Sequence, residues 1–169
     1  MIKPTEAVPE LNVETVGGGT WRLAEQTPDT FTLIEFYRGY HCPRCKLQLL
    51  DLDHKVARFT ERGCGVIAIS MDSRERAEKS KQEWGLGGLT LGYGLSEESA
   101  RQWGLFISSA IQDKEPGNFS EPAMFLVRPD DTLFSAVLHT TPFHRHHFAD
   151  VMEAIDMIKA RDYPPRGDA

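Results

Sequence analysis

Cys42 and Cys45 stand three positions apart in Phe36-Tyr37-Arg38-Gly39-Tyr40-His41-Cys42-Pro43-Arg44-Cys45-Lys46. An apolar run gives way there to an amphipathic one. In a first helical turn that spacing puts both thiols on one face, where they can close a disulfide with little backbone movement. Unpaired N–H groups and the positive dipole end of a helix favour a thiolate, and Arg44 and Lys46 add positive charge. A lowered thiol pKa turns cysteine from a core filler into a nucleophile. Strand, Cys-x-x-Cys, helix is therefore the pattern of a redox dithiol. Cys-Pro-x-Cys also has the spacing of a zinc knuckle, with His139, His144, His146 and His147 as candidate nitrogen donors. A structural zinc site usually shows a second tight ligand pair, and this chain has no second Cys-x-x-Cys. His144, His146 and His147 precede a helix, where simple solvation is the plainer account of them.

Two thiols need a strand behind them and a helix beneath them. Thr30 to Tyr37 is β-branched and aromatic, the composition of a central strand. Pro43 suits a first helical turn. Leu47, Leu50, Leu52, Val56 and Phe59 then recur at helical spacing until Gly63. Gly65 to Ser70 reads as a buried parallel strand, and Ser73 caps a charged helix over Arg74–Trp84. A short strand over Thr90–Tyr93 and a short helix over Glu97–Trp103 follow. Phe106 to Ser120 reads as a long irregular connection. Strands over Pro122–Val127 and Thr132–Leu138 flank the Pro129-Asp130-Asp131 turn, and Phe148, Val151, Ile155 and Ile158 mark a last amphipathic helix. At the front, Val13–Val16 and Thr20–Leu23 flank Gly17-Gly18-Gly19, a hairpin signal. The tail from Tyr163 to Ala169 is expected to run extended over the surface. The order, with parallel crossovers and an antiparallel edge hairpin, is an α/β fold with a central mixed sheet flanked by helices.

At 169 residues the chain fits one domain, 1–169, large enough to form a core without disulfide staples. Its net charge of −6 argues against nucleic acid as a partner. No apolar run approaches the ~20 residues of a membrane span, and Met1 to Glu6 lacks the apolar core of a signal peptide. The expected compartment is the cytoplasm, where a cycling disulfide is more at home than a persistent one. Cys64 has no close sequence partner and reads as a buried, inert thiol.

With these residues in view, the chain resembles the thioredoxin-fold superfamily. Within it, the chain is similar to the peroxiredoxin-like proteins of the alkyl hydroperoxide reductase and thiol-specific antioxidant family. Val8-Pro9-Glu10-Leu11 through Trp21-Arg22-Leu23 is similar to that family's N-terminal hairpin. Phe36-Tyr37 followed by Cys45 has its spacing from strand to peroxidatic cysteine. Pro142-Phe143 and Tyr163-Pro164-Pro165-Arg166-Gly167 resemble an uncharacterised subgroup. Two positions depart from the pattern. Cys42 stands where the family has Thr or Ser, and by the resemblance Pro122 stands where it has an Arg beside the cysteine. Arg38 or Arg145 could substitute for that Arg.

The resemblance implies a thiol-dependent oxidoreductase with Cys42, Cys45, Pro122 and Glu35 as its catalytic set. By likeness to thioredoxin, Pro122 would be a cis-proline facing the dithiol and Glu35 a buried acid that shuttles a proton. Glu35 pointing to solvent is the other reading. In disulfide exchange, the first expectation, Cys42 attacks and Cys45 resolves. In peroxidase chemistry Cys45 attacks peroxide and Cys42 condenses with the sulfenic acid. Both routes end at a Cys42–Cys45 bond. A zinc-held interaction module using Cys42 and Cys45 is the alternative of another class. The implied partners are a protein or small-molecule disulfide, or a hydroperoxide, as substrate, and a thiol reductant. A homodimer is one implied assembly; neither cofactor nor metal is implied.

Overall fold

The computed structural model describes residues 1–169. Gly17, Gly18 and Gly19 all take positive φ and turn the first hairpin, β1 (Asn12–Thr15) and β2 (Thr20–Arg22). A single 3-10 turn over Leu23–Glu25 leads to β3 (Phe31–Phe36), every residue of which is buried. Then come α1 (Pro43–Glu61), β4 (Cys64–Ile69), α2 (Arg74–Glu83), β5 (Leu91–Tyr93) and α3 (Glu97–Gln102). The connection read as irregular is closed by a two-residue pair, β6 (Ile107–Ser108) with β7 (Phe119–Ser120). Strands that short leave no periodicity to read. β8 (Ala123–Val127), β9 (Leu133–Leu138) and α4 (Phe148–Arg161) complete the chain. No helix is long and apolar enough to cross a membrane.

Seven strands form one mixed sheet in the order β2-β1-β5-β4-β3-β8-β9. β3, β4 and β5 run parallel; β8 pairs antiparallel with β3 and with β9. The strand that leads to the dithiol is thus central, flanked by β4 and β8.

Side chains alternate across a strand, so β3 feeds two cores. Ile34 and Phe36 join Leu95, Trp103 and Phe125 on one face. Phe31, Leu33 and Tyr37 join Leu49, Leu52 and Phe59 of α1 and Phe148, Val151 and Ile155 of α4 on the other. Glu35 shares the parity of Leu33 and Tyr37. It therefore points at the layer of α1 and α4, between Ala68 of β4 and Met124 of β8 in register. It is fully buried, so the solvent-facing reading of Glu35 does not hold.

Candidate active site

Gly39 sets up the turn that delivers the thiols. Its φ is +131°, and a Cβ there would lie 2.7 Å from Asp72 Oδ1. Asp72 is buried at the start of the segment that enters α2; its Oδ2 accepts the Tyr40 N–H at 2.7 Å and its Oδ1 accepts from Arg76 Nε at 3.0 Å. The Cys42 N–H in turn donates to the Gly39 carbonyl at 3.1 Å. Cys42 is the N-cap of α1, with Pro43 in the first turn, and its Sγ accepts the Cys45 N–H at 3.3 Å. No acidic side chain sits in that first turn, so nothing there offsets the positive helix end.

Both sulfurs face Arg145, which comes from the loop between β9 and α4. Its Nη2 lies 3.3 Å from Cys45 Sγ and 3.8 Å from Cys42 Sγ. Nε donates to the Pro142 carbonyl at 2.9 Å, and Nη1 donates to Gln48 Oε1 from α1. All three guanidinium nitrogens are held, the use that suits a rigid fork. Cys42 is 1% exposed and Cys45 is fully buried.

The two thiols are polarised in opposite directions. A hydrogen bond from Cys45 does most to lower Cys42, to about 6; the Cys45 N–H, Arg145 and Arg38 assist, against the cost of burial. Burial pushes Cys45 up, and the hydrogen bond and negative charge of Cys42 push the same way. The reduced pair therefore carries one proton, on Cys45, and one charge, on Cys42. Cys64 is separate: buried at the start of β4, its thiol is raised to about 12.

Behind the thiols, Glu35 Oε2 is 2.9 Å from His146 Nε2, and His146 Nδ1 is 3.1 Å from His139 Nε2. The rings of His146 and His139 stack at 5.4 Å and 14°, and exposed His144 lies against His139 at 5.5 Å. Gln48 joins the two systems, its Nε2 3.3 Å from His146 Nε2 while its Oε1 holds Arg145. Glu35 Oε1 has no partner. Burial raises the Glu35 carboxyl, opposed by His146 and Arg145.

Of the residues expected from sequence, Cys42 and Cys45 meet and Glu35 lies in the layer behind them. Pro122 does not take the expected form. The chain has no cis peptide bond, so its peptide is trans. Pro122 is buried just ahead of β8, where its carbonyl accepts the His139 N–H at 2.9 Å and fixes the start of the histidine-bearing loop. Arg38, which also assists Cys42, forms an ion pair with Glu121 at 3.2 Å and packs over the Phe119 ring at 4.7 Å. His41 is 8% exposed, set edge-on to Phe119 and 3.5 Å from Arg76 Nη2. Burial with the charges of Arg38 and Arg76 holds it at about 4.

Gln48 escaped sequence reasoning altogether, and His146 entered it only as a zinc donor. Both carry ordinary surface-type side chains in an amphipathic or irregular context, so no periodicity marks them. No group of three or more His, Cys, Asp and Glu side chains is placed to hold a metal; a guanidinium faces the sulfurs instead. The zinc module thus lacks its ligand set.

The fold has many solved counterparts at low identity. Peroxidoxin BcpB from Mycobacterium tuberculosis superposes with a TM-score of 0.75 at 17% identity, over 95% of this chain and 99% of that one. A reduced 2-Cys peroxiredoxin of Plasmodium vivax gives 0.79 at 17%, over 96% and 84%. AhpC of Enterococcus faecalis gives 0.75 at 16%, over 96% and 98%. At such identities these establish the thioredoxin-like fold. Among curated proteins none matches. The sequence profile of the AhpC/TSA family matches residues 4–135, from the N-terminal hairpin through the dithiol and into β9. Arg145, His146 and His139 all lie beyond it. On the strength of that match the chain belongs to the AhpC/TSA family of thiol-dependent peroxidases.

Proposed function

We propose that the chain reduces small hydroperoxides through a Cys42–Cys45 dithiol, with Cys42 as the attacking sulfur. The observation that carries peroxide as the oxidant is the Arg145 guanidinium on the two thiols; Cys42 is chosen as the attacker because it is the N-cap of α1 and its Sγ accepts the Cys45 N–H. It supplies the cation that the family pattern left missing at Pro122, where a developing negative oxygen is stabilised. Near-complete burial of Cys42 supports a small oxidant over a folded protein's disulfide.

The cycle balances as follows. Cys42 S⁻ attacks the distal peroxide oxygen, the O–O bond breaks, and the alkoxide takes up a proton and leaves as alcohol. Cys45 S–H then condenses with the Cys42 sulfenic acid, releasing water and forming the disulfide. Two equivalents of an external thiol reduce that bond. We assign the cycle to the cytoplasm, where a thiol reductant pool is present. Exchange with small-molecule disulfides is the second reading, supported by the same polarity: a charged Cys42 backed by a Cys45 that keeps its proton.

Single-turnover mixing with hydrogen peroxide tests the assignment. Cys45→Ser should form a sulfenic acid on Cys42 at near wild-type rate, whereas Cys42→Ser should be slower by at least about a hundredfold. The reverse pattern would make Cys45 peroxidatic. Wild-type oxidation no faster than that of free cysteine would leave disulfide exchange as the function.

A further inference from the structure

A cavity of about 600 Å³ opens beside the dithiol, within the size range of small-ligand sites. His41 and Pro43, the two chain neighbours of Cys42, both line it. One wall is aromatic and held in place. Tyr40 stacks on buried Trp84 at 6.2 Å and 16°, with its N–H on Asp72 and its O–H on Glu83. Most charges around the cavity are already countered. Arg76 pairs with buried Asp72 at 3.0 Å, Glu83 accepts the Tyr40 O–H, and His41, held at about 4 chiefly by burial, is neutral. Three charges are not. The Lys46 and Lys114 ammonium groups and the Asp113 carboxylate are exposed on the cavity and form no ion pair.

We propose that this cavity seats the thiol that reduces the Cys42–Cys45 disulfide, and that this thiol is a small amino-acid derivative with two carboxylates and one free ammonium. This rests on the dithiol cycle proposed above. The charges left open are the complement of such a molecule: its carboxylates meet Lys46 and Lys114, and its ammonium meets Asp113. Its apolar stem packs along the Tyr40–Trp84 face. Cys42 is 1% exposed, so the incoming sulfur has to arrive on a narrow carrier.

The exchange takes two molecules of this thiol. The first loses its S–H proton, favoured by the positive end of α1, and its sulfur attacks Cys42 Sγ. The Cys42–Cys45 bond breaks, and Cys45 leaves as a thiolate and takes up a proton. Cys45 is fully buried and closed to direct attack, while Arg145 Nη2, 3.3 Å from its Sγ, steadies it as it leaves. The second molecule attacks the ligand sulfur of the mixed disulfide. Cys42 departs as a thiolate and one proton goes to solvent. The products are the reduced pair and the disulfide of the ligand.

Reduction of the peroxide-oxidised full chain by glutathione, which carries these charges, and by 2-mercaptoethanol, which carries none, tests the assignment. Rates are compared per thiolate, so the ionised fraction of each thiol divides out. The glutathione rate should saturate with concentration, and its second-order limit should exceed that of 2-mercaptoethanol about tenfold, the worth of a few exposed ion pairs. S-methylglutathione, which cannot exchange, should compete with glutathione. The double variant Lys46→Gln, Lys114→Gln should bring the ratio close to one. Both thiols attack the same Cys42, so any general effect of the lost charge on that sulfur cancels. A wild-type ratio near one, or a ratio untouched in the double variant, overturns the proposal. Cysteine as fast as glutathione would overturn the two-carboxylate assignment. Rapid reduction by a Cys-x-x-Cys protein alone would overturn the small thiol in favour of a protein partner. If peroxide fails to form the Cys42–Cys45 bond but the diamide-oxidised chain gives the expected ratio, the peroxide cycle falls and the thiol site stands.

Discussion

Arg145 Nη2 lies 3.3 Å from Cys45 Sγ across a sequence separation of 100 residues. The contact joins the start of α1 to the loop that precedes α4. It places a cation where Pro122 leaves the family pattern without one. Replacing Arg145 with Met should raise the Cys42 pKa by about one unit or more, because an opposite charge at that range favours the charged form. Oxidation by hydrogen peroxide at pH 6 should then slow on the order of tenfold. Arg145→Lys should recover part of the rate, keeping the charge but not the fork that Gln48 and Pro142 hold. An unaltered thiolate titration in Arg145→Met would show that the guanidinium is a structural clasp only.

The opposite polarisation of the thiols predicts a titration of definite sign. Cys42 is lowered to about 6, so thiolate absorbance should rise as pH increases through that value and be nearly complete at pH 7. A thiol of ordinary pKa would be only about 3% ionised there, so Cys42 carries roughly thirtyfold more thiolate. Cys42→Ser should remove that step. Cys45 and Cys64, both held above the normal range by burial, should contribute nothing below pH 8. A step near 8.5 in place of one near 6 would mean that the N-cap and Arg145 do not activate Cys42.

Much of this architecture was legible from local pattern. The apolar β-branched run, Pro43, the Leu47–Phe59 spacing and the Pro129-Asp130-Asp131 turn located β3, α1 and the β8–β9 hairpin to within a few residues. The dithiol was legible because strand-to-helix chemistry is local. Arg145 was readable as one of two arginines able to stand in, but choosing it over Arg38 needs a packing relation between the β9–α4 loop and α1. Gln48 was invisible, and His146 visible only as a zinc donor, for a related reason: each acquires its place in the site only when α1 and that loop pack together. Pro122 stands in a trans peptide just ahead of β8, its carbonyl accepting the His139 N–H, a pairing across 17 positions that no local pattern around Pro122 shows.

Gly39 gives a prediction about delivery rather than chemistry. Its φ of +131° is outside the range that L side chains readily adopt, and a Cβ would meet the Asp72 carboxylate at 2.7 Å. Asp72 cannot simply withdraw, since it holds both the Tyr40 N–H and Arg76. Gly39→Ala should cost about 2 kcal/mol, lowering Tm by roughly 4–8 °C for a chain of this size. Because the Gly39 carbonyl anchors the Cys42 N–H, the variant should also lose the low-pH thiolate step. Unchanged Tm and titration together would show that the turn is not set by the Gly39–Asp72 approach.

Two histidines give acid sensitivity independent of redox state. His41 and His139 are 8% and 7% exposed, and each is held at about 4, chiefly by burial, with neighbouring positive charge adding to it. In the unfolded chain an imidazole titrates near 6.5. As pH falls below that value the unfolded state takes up these two protons first, so the folded state loses stability. The loss should begin near pH 6.5, steepen toward a slope of two protons, and level off for these groups near pH 4. The Cys42 thiolate acts in the same direction but only in the reduced protein: its contribution is full above the unfolded thiol pKa and gone once pH falls through about 6. Thermal unfolding of the disulfide form should therefore remove the thiolate's share. There, His139→Gln should flatten the fall in Tm between pH 6.5 and 4 relative to wild type. An equally steep fall in that variant would mean that His139 is not held neutral inside the fold, and that the acid sensitivity comes from the carboxylates.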